Sequence, residues 1–497
     1  MSANIPKVKL GIISVSRDCF VLSLSERRAG AVAAACGKAG VGAFLASTIV
    51  ENERDMLKAV GEAKDAGCNA LVVFLGNFGP ETPETLIAQK FAGPVMYAAA
   101  AEETGKDLFN GRGDAYCGML NCSYNLGLRG LRAVIPENPV GTADEIAAAV
   151  EGFIPVARAI IGLSALKIIT FGPRPQDFFA CNAPIKGLYD IGVEIQENSE
   201  LDLLVAYRKH AGDARIAGVA KDMADELGAS GSRYPDMLPK LAQYELTLLD
   251  WAEENRGARE HVAFANKCWP AFPTEFGFEP CYVNSRFASR GMPVACEVDI
   301  YGALSEYIGA CVTGDAVTLL DINNTVPSDI YEADIKGKFA TDYALGDTFM
   351  GFHCGNTPFC KLAKGALSYQ LIQNRLIENG SEPDVTRGTL EGDMAAGGIT
   401  FFRLHGNPDS SLQAYIAQGE ILPVPTRSFG GIGVFAIPEM ARFYRHVLIE
   451  KRYPHHGAVA FGLAGKALFT VFRYLGVADI AHNRKKGDLY ASENPFA

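Results

Sequence analysis

The stretch spanning residues 293–327 constrains the fold and the chemistry of this chain more than any other. Its pattern predicts a buried strand that ends at Glu297, a helix over 299–311, a glycine turn, and a second strand over 316–320 that delivers Asp321. Strands that alternate with crossover helices are parallel, and open sheets of this kind bind ligands at their carboxyl edge. We therefore expect both carboxylates at one sheet edge, where they suit a hard divalent cation, a pair of general bases, or both.

Glu297 and Asp321 also suit ordinary structural roles. A glutamate at the start of a helix and an aspartate at the end of a strand are common capping and turn residues. On these two residues alone, the structural and the functional interpretation are equally open.

Length and composition limit the classes of protein that need to be considered. A chain of 497 residues exceeds what one core usually fills, so two or three domains are expected. A net charge of −11, without clustered Lys and Arg, argues against nucleic-acid binding. The N-terminus leads directly into a strand without the features of a signal peptide, and charged residues interrupt the most apolar stretch, 146–172. We therefore expect a soluble cytoplasmic protein with no membrane segment.

The 12 cysteines are scattered without a C-x-x-C pair. In a chain of this length they are expected to be reduced and mostly buried, rather than disulfide-bonded or part of a zinc site.

Alternation of strand and helix patterns predicts an α/β fold. The first third of the chain predicts a doubly wound parallel sheet, with strands at 8–15, 42–47, 70–75 and 94–99 and helices at 25–39, 51–65 and 82–91. After a long helix at 142–163 the pattern begins again, with strands at 166–171 and 192–196 and helices at 205–227 and 237–254. From about residue 355 we predict a helix at 362–378, short strands at 385–391, 398–404, 411–420, 433–437 and 446–449, and a last helix at 465–475. These patterns predict three domains: two Rossmann-like domains, 1–164 and 165–354, and a β-rich, barrel-like domain, 355–497.

Few of the eight histidines stand in suggestive positions. His455 and His456 form a doublet in a Gly/Pro loop, and His353 lies in a Gly-rich turn. A single histidine is more often structural than a ligand, but one imidazole with two carboxylates is a recurring ligand set for Mn²⁺-type ions. The Gly-rich runs FGGIGVF and GLAGKA lack a complete nucleotide-binding spacing, which disfavours an NAD-dependent oxidoreductase.

Taken together, these residues give the chain a resemblance to the L-fucose isomerase and L-arabinose isomerase superfamily of metal-dependent aldose-ketose isomerases. It is closer to the L-fucose isomerase branch. In ACEVDIYGALSEYIGACVTGDAVTLLDINN, Glu297 and Asp321 coincide with the family's two metal-binding carboxylates, at the family's spacing, and His456 of the late histidine motif corresponds to the third ligand. The segments SVSRDCF, LGNFGPE and GDAYCG in the first domain also match. His353 resembles a further ligand of the arabinose branch, and we place it outside the first coordination shell.

The resemblance implies an intramolecular oxidoreductase that isomerises an open-chain monosaccharide through an enediol. It implies Mn²⁺, or another divalent cation such as Co²⁺ or Mg²⁺, held by Glu297, Asp321 and His456. It also implies a homo-oligomer, a hexamer or smaller, with the active site near a subunit interface. Glu297 and Asp321 would carry the two proton transfers, in an order that the sequence leaves open.

The substrate is expected to be a neutral sugar of the L-fucose or D-arabinose type. Arg17, Asn77 and Phe78, which follow predicted strand ends, and Trp269, an aromatic platform in a loop, are the candidates for sugar contacts. Two alternatives stay open: an isomerase of an anionic sugar such as the sulfosugar sulfoquinovose, which loop arginines such as Arg17 and Arg174 would suit, and a non-catalytic sugar-binding protein. Arg286 and Arg290 are expected to be ordinary surface or ion-pair residues.

Overall fold

The structure, a computed structural model, describes residues 4–371 and 386–495. The chain forms two compact units, one comprising Pro6–Ile161 and the other Gly162–Ala497 together with Met1–Ile5. The second unit contains both regions predicted as the central and C-terminal domains, and the division into three domains stays a prediction.

The unit Pro6–Ile161 is built on a five-stranded parallel sheet in the order β2-β1-β3-β4-β5. Its strands are β1 (Leu10–Val15), β2 (Ala43–Leu45), β3 (Ala70–Leu75), β4 (Val95–Ala100) and β5 (Val140–Gly141). Its helices are α1 (Leu22–Lys38), α2 (Glu53–Asp65), α3 (Glu81–Lys90), α4 (Leu108–Gly111), α5 (Ala115–Leu128) and α6 (Ala143–Ser164), the last of which runs past the unit boundary. Every residue of β1, β3 and β4 is buried, as continuous apolar runs covered on both faces require. The predicted doubly wound sheet is confirmed.

Helix α6 is long and apolar enough to cross a membrane, judged by length and composition only. The core helix of a soluble protein passes the same test, and more than half of this apolar stretch is buried against the rest of the chain. The helix is therefore weak grounds for a membrane span.

The second unit begins with a four-stranded parallel sheet in the order β7-β6-β8-β9. Its strands are β6 (Leu166–Gly172), β7 (Glu194–Ser199), β8 (His261–Ala265) and β9 (Val294–Ala295). Its helices are α7 (Lys186–Asp190), α8 (Glu200–Lys209), α9 (Ile216–Gly231), α10 (Leu238–Asn255) and α11 (Cys281–Ser289). The single helix predicted at 205–227 is wrong: it is broken into α8 and α9, with Gly212 at a left-handed φ of 80° between them.

The remaining strands form a mixed sheet that closes on itself. They are β10 (Val317–Asn324), β11 (Thr348–His353), β12 (Ala366–Tyr369), β13 (Arg387–Asp393), β14 (Gly397–Gly406), β15 (Leu412–Leu422), β16 (Gly431–Ala436), β17 (His456–Ala460) and β18 (Asp479–His482). The helices of this region are α12 (Ile300–Thr313), α13 (Ser328–Ile330), α14 (Met440–Phe443) and α15 (Gly465–Tyr474). Antiparallel pairing runs β10-β11-β16-β15-β14-β17 and returns to β10, which makes a closed barrel, and β12, β13 and β18 extend it. The predicted α/β class with a barrel-like C-terminal region is confirmed.

Two elements predicted in the C-terminal region are wrong. The predicted helix at 362–378 contains strand β12, and its part from residue 372 onward lies outside the described residues. The predicted strand at 446–449 belongs to a π-helical turn, Tyr444–Ile449.

Strand β10 also departs from the prediction. Helix α12 joins β9 to β10, but β10 enters the barrel and pairs antiparallel with β11 and β17, instead of lying parallel in the sheet of β9. Residues 300–312 of α12 are all buried, and the helix contacts strands of both sheets. It is therefore a central helix enclosed between two sheets rather than a surface crossover.

Candidate active site

Glu297 stands just beyond the carboxyl end of β9. It and Val298 both have left-handed backbone angles, with φ of 51° and 57°. A β-branched residue rarely adopts this conformation, and such strain concentrates at functional sites. The Val298 N–H donates to the carbonyl of Asn266 at 2.9 Å, which ties this turn to the loop after β8.

Asp321 and His456 face each other across two antiparallel barrel strands. In the register of β10 and β17, Asp321 pairs with His456, and Leu320 pairs with Gly457. Leu320 belongs to the hydrophobic core, and Gly457 packs so tightly against Phe401 that a Cβ there would lie 2.1 Å from the ring. Because side chains alternate along a strand, Asp321 and His456 project from the other face of the sheet.

The three predicted metal ligands converge in space. His456 Nε2 lies 3.3 Å from Glu297 Oε2 and 3.2 Å from Asp321 Oδ1. His456 is 1% exposed, whereas the side chains of Glu297 and Asp321 are 13% and 20% exposed, so solvent reaches the two carboxylates but not the imidazole. The structure thus brings together residues from two different sheets.

Asp299 fixes the orientation of His456. Its Oδ2 accepts a hydrogen bond from His456 Nδ1 at 2.8 Å, and both of its oxygens accept from Arg403, each at 2.8 Å. Arg403 also donates to the His456 carbonyl at 3.2 Å. A carboxylate accepts but does not donate, so Nδ1 carries a proton and Nε2 is the atom that faces Glu297 and Asp321.

The electrostatics of this cluster favour added positive charge. Burial alone lowers the pKa of His456, but the hydrogen bond to Asp299 and the adjacent carboxylates of Asp321 and Glu297 outweigh burial and raise it well above its usual value. Burial raises the pKa of Glu297 and of Asp321, yet the adjacent imidazole of His456 and the other nearby histidines bring both below their usual values.

The donor set fits a divalent cation. Glu297 Oε2 and Asp321 Oδ1 are buried and have no hydrogen-bond partner within the described residues. Ligand atoms at roughly 2.1 Å from an octahedral ion lie roughly 3.0 Å apart, close to the separation of His456 Nε2 from each of the two carboxylates. The ligand atoms of Glu297, His353 and His456 lie within 4.8 Å of one another, as do those of Asp321, His455 and His456. Three carboxylates, those of Glu297, Asp299 and Asp321, face one guanidinium, that of Arg403. When His456 binds a cation as a neutral imidazole, two negative charges are left for a divalent ion to neutralise.

Two further histidines border the cluster. His353 Nε2 lies 4.0 Å from Glu297 Oε2, and its Nδ1 accepts the backbone N–H of Cys354 at 3.0 Å. In a neutral ring the proton is then on Nε2, which makes this atom a hydrogen-bond donor and not a ligand. His455 Nε2 lies 3.6 Å from Asp321 Oδ1, and its side chain is 37% exposed.

Two aromatic side chains lie near the histidine doublet. Phe178, in the loop after β6, lies edge-on to His455, with ring centroids 5.4 Å apart, and Trp269 lies 6.4 Å from Phe178. Trp269 and Phe178 are both half-buried. The predicted sugar contact Trp269 is thus one aromatic ring away from the histidine doublet.

The other predicted sugar contacts lie in the unit Pro6–Ile161, at the carboxyl ends of β1 and β3. The Arg17 guanidinium stacks over the Phe78 ring at 5.2 Å, and Phe20 stacks on Phe78 at 6.3 Å. In the strand order 2-1-3-4-5 this is the point at which chain direction switches, the usual ligand crevice of such sheets. Asn77 is fully buried, and its amide bonds Ser16 and the backbone of Arg17, so it positions the loop.

Sequence reasoning missed Asp299, Arg403, Phe178 and Cys181, whose sulfur lies 3.8 Å from His456 Nδ1. Asp299 follows Glu297 by two residues and opens α12, so a capping role was the only signal it carried. Arg403 lies within an apolar strand, FFRLHG, where a buried arginine implies a buried carboxylate partner. The expectation for Arg286 and Arg290 is confirmed, since both form ion pairs with Glu245.

Comparison with known proteins places these features in a family. Residues 11–164 match the family described as fucose/sulfoquinovose isomerase, N-terminal domain, and residues 351–482 match L-fucose isomerase, C-terminal domain. The sulfoquinovose isomerase of Clostridium sp. (strain MSTE9) is 27% identical over 298 residues, 58% of each chain. That of Alkalicoccus urumqiensis is 24% identical over 314 residues, 60% of each chain, and that of Priestia aryabhattai is 24% identical over 330 residues, 65% of this chain and 66% of the relative.

The aligned part of the chain spans less than two thirds of the length of these curated relatives. The two family matches together cover more than half of the chain and flank the cluster formed by Glu297, Asp321 and His456. The chain belongs to the fucose/sulfoquinovose isomerase family.

Proposed function

We propose that this protein is a metal-dependent aldose-ketose isomerase acting on an open-chain monosaccharide. The observation that carries the proposal is the convergence of His456 Nε2 on two buried carboxylate oxygens without hydrogen-bond partners of their own. Membership of an isomerase family supports it. A sugar-binding protein without catalysis has no need of this strained, charged cluster.

Glu297, Asp321 and His456 would hold the cation, with Asp299 and Arg403 orienting the histidine. Mn²⁺ is the ion we expect, since oxygen-rich sites with one imidazole suit it, and Co²⁺ or Mg²⁺ are alternatives. When bound, the cation would act as a Lewis acid toward the sugar carbonyl. We place His353 outside the ligand set, with its Nε2 4.0 Å from Glu297 Oε2.

The reaction requires two proton movements, and the site offers two carboxylates. One removes the proton from C2 of the aldose and returns it to C1, and the other transfers the hydroxyl proton from O2 to O1. Glu297 and Asp321 both contact His456 Nε2, at 3.3 and 3.2 Å, so both would be near the C1–C2 edge of a sugar bound there. Phe178 and Trp269 would cover the sugar and limit access of water.

For the substrate, we favour a sulfonated hexose such as sulfoquinovose over a neutral deoxy sugar. The relatives named above are sulfoquinovose isomerases. Arg174 lies in the same loop as Phe178, makes no ion pair with any described residue, and has a buried Nε without a hydrogen-bond partner. An arginine available in this loop suits a sulfonate better than a neutral sugar. A neutral L-fucose- or D-arabinose-type sugar is the second candidate, supported by the L-fucose isomerase match of the C-terminal region.

We further propose a cytoplasmic homo-oligomer, a hexamer or smaller, with the active site near a subunit interface. Helix α5 supports self-association because it exposes a continuous apolar stripe at four-residue spacing: Tyr116, Leu120, Tyr124 and Leu128, each at least 64% exposed. A second copy of the chain would bury this stripe.

The test removes bound metal with chelator, restores Mn²⁺, and measures ketose formation from sulfoquinovose, L-fucose and D-arabinose. Exchange of the C2 hydrogen with D₂O, followed by NMR, reports the proton transfer directly. We expect Mn²⁺-dependent turnover, with Glu297→Gln and Asp321→Asn at least about a hundredfold slower. Asp315→Asn, which alters an exposed carboxylate paired with Lys361, is the control. Full activity of Glu297→Gln, or turnover that does not depend on metal, would contradict the proposal.

A further inference from the structure

Two buried thiols lie directly beside the proposed catalytic carboxylate. Cys268 follows β8 and Cys296 follows β9, and these neighbouring parallel strands bring the two sulfur atoms to 3.4 Å, with the Cys296 S–H donating to Cys268. Ligand atoms of Cys268, Cys296 and Glu297 all lie within 4.8 Å of one another. Cys268 is 3% exposed and Cys296 is fully buried.

The geometry suits chelation of a soft cation. Sulfur atoms at about 2.3 Å from a tetrahedral Zn²⁺ lie about 3.8 Å apart, so the pair needs to open by only a few tenths of an ångström. A disulfide requires sulfur atoms about 2.05 Å apart, a much larger closure. Thiolates prefer Zn²⁺ and similar soft ions, whereas Mn²⁺ prefers oxygen ligands. A soft cation should therefore bind the thiol pair, and Mn²⁺ the cluster around His456.

We propose that Cys268, Cys296 and Glu297 form a second metal site, for a thiophilic divalent cation of the Zn²⁺ type, whose occupancy inhibits the enzyme. Binding forms two metal–sulfur bonds and one metal–carboxylate bond, and the two S–H protons leave to solvent. Glu297 would then turn from His456 toward the sulfur atoms. The inhibitory part rests on the proposed isomerase function, whereas the binding part does not.

The left-handed turn at Glu297 makes this coupling direct. Cys296 is joined to Glu297 by one peptide bond, and the Val298 N–H holds the other side of the turn to Asn266, two residues before Cys268. A cation bound to both sulfur atoms therefore bridges the two loops that position Glu297.

Cadmium is the probe, because cadmium thiolates absorb in the ultraviolet through sulfur-to-metal charge transfer. The exposed thiols Cys19, Cys117 and Cys360 are first replaced by serine to remove background binding. This full-length protein, loaded with Mn²⁺, is titrated with Cd²⁺ while absorption and turnover are both recorded. Cys268→Ser and Cys296→Ser are compared with Cys281→Ser, a fully buried thiol of the same unit that is not part of the ligand group.

We expect one Cd²⁺ per chain with a two-thiolate band, lost in Cys268→Ser and Cys296→Ser but retained in Cys281→Ser. Turnover should fall at least tenfold as the band develops, and Cys268→Ser should resist the inhibition. Absence of the band, or its persistence in Cys268→Ser, overturns the site. A band without any effect on turnover overturns the inhibitory role. If no sugar is turned over but the band appears and depends on Cys268, the metal site stands and the proposed function fails.

Discussion

Replacing Asp299 by asparagine tests how the cation site is oriented. The change keeps the size of the side chain and its cap on α12, where the Asp299 side chain accepts the Gly302 N–H at 2.8 Å, because asparagine caps helices as well as aspartate does. It removes the negative charge that Arg403 and His456 share. The variant therefore separates the electrostatic role of Asp299 from its role in starting the helix.

Two magnitudes follow from the contacts of Asp299. Arg403 is 1% exposed and its ion pair with Asp299 is fully enclosed, so loss of one partner should lower the free energy of unfolding by about 3–5 kcal/mol. Loss of the carboxylate behind a ligating histidine typically weakens metal binding by about 10- to 100-fold. The asparagine amide nitrogen can also donate to Nδ1, which would move the ring proton to Nε2 and block the atom that faces Glu297 and Asp321.

The assay combines urea unfolding of the metal-free protein with Mn²⁺ binding measured by the EPR signal of free Mn²⁺. Asp315→Asn again serves as the control and should change both quantities little, because the Asp315 side chain is half exposed and ion pairs open to solvent contribute at most about 1 kcal/mol. Unchanged Mn²⁺ affinity in a folded Asp299→Asn protein would contradict the proposal that the Asp299 carboxylate orients His456 for metal binding. An unchanged free energy of unfolding would contradict the stabilisation expected from the Asp299–Arg403 ion pair.

Three further predictions concern other parts of the chain. Burial raises the pKa of Glu84 to about 8, so the folded state keeps a proton that the unfolded state releases above about pH 4.5. Stability should therefore fall by up to about 1.4 kcal/mol per pH unit between these values, and Glu84→Gln should remove that slope in thermal melts; parallel pH profiles would contradict this. Trp269→Ala should raise KM up to roughly tenfold with a smaller effect on kcat in steady-state kinetics, because the proposed stacking of its ring on the sugar would not involve the reacting carbons; equal changes in KM and kcat would contradict this role. Leu120→Glu should shift the protein to a smaller oligomer in light scattering coupled to size exclusion, and an unchanged mass would remove α5 from the interface.

The sequence predicted the elements of the fold better than their arrangement. A continuous apolar run such as ALVVFL of β3 indicates a strand buried on both faces, and the observed strand has the predicted bounds. The placement of β10 was wrong because a strand-helix-strand pattern is also compatible with a helix that links two different sheets. Nothing within residues 293–327 indicates that β10 pairs with β17, which lies more than a hundred residues later.

The candidate site was predicted in part for the same reason. Glu297, Asp321 and His456 were identified through motif letters, and the structure brings them together. Asp299 lies in the matched stretch without a predicted role, Arg403 lies in no motif, and the roles of both depend on a long-range contact between the start of α12 and the middle of β14. The role of a residue that acts through a distant partner can be identified only once the structure shows that partner.

The register between Asp321 and His456 would also couple binding of the proposed cation to folding. Of the three proposed ligands, Glu297 follows β9 of the parallel sheet, and Asp321 and His456 stand on barrel strands β10 and β17. A bound ion would therefore cross-link two separately hydrogen-bonded sheets. The metal-free chain can form each sheet but lacks this cross-link between them. By mass action, an ion present at a hundred times its dissociation constant would stabilise the folded state, in which the two sheets are packed together, by about 2.7 kcal/mol. The supply of metal would then affect the stability of this protein as well as its proposed activity.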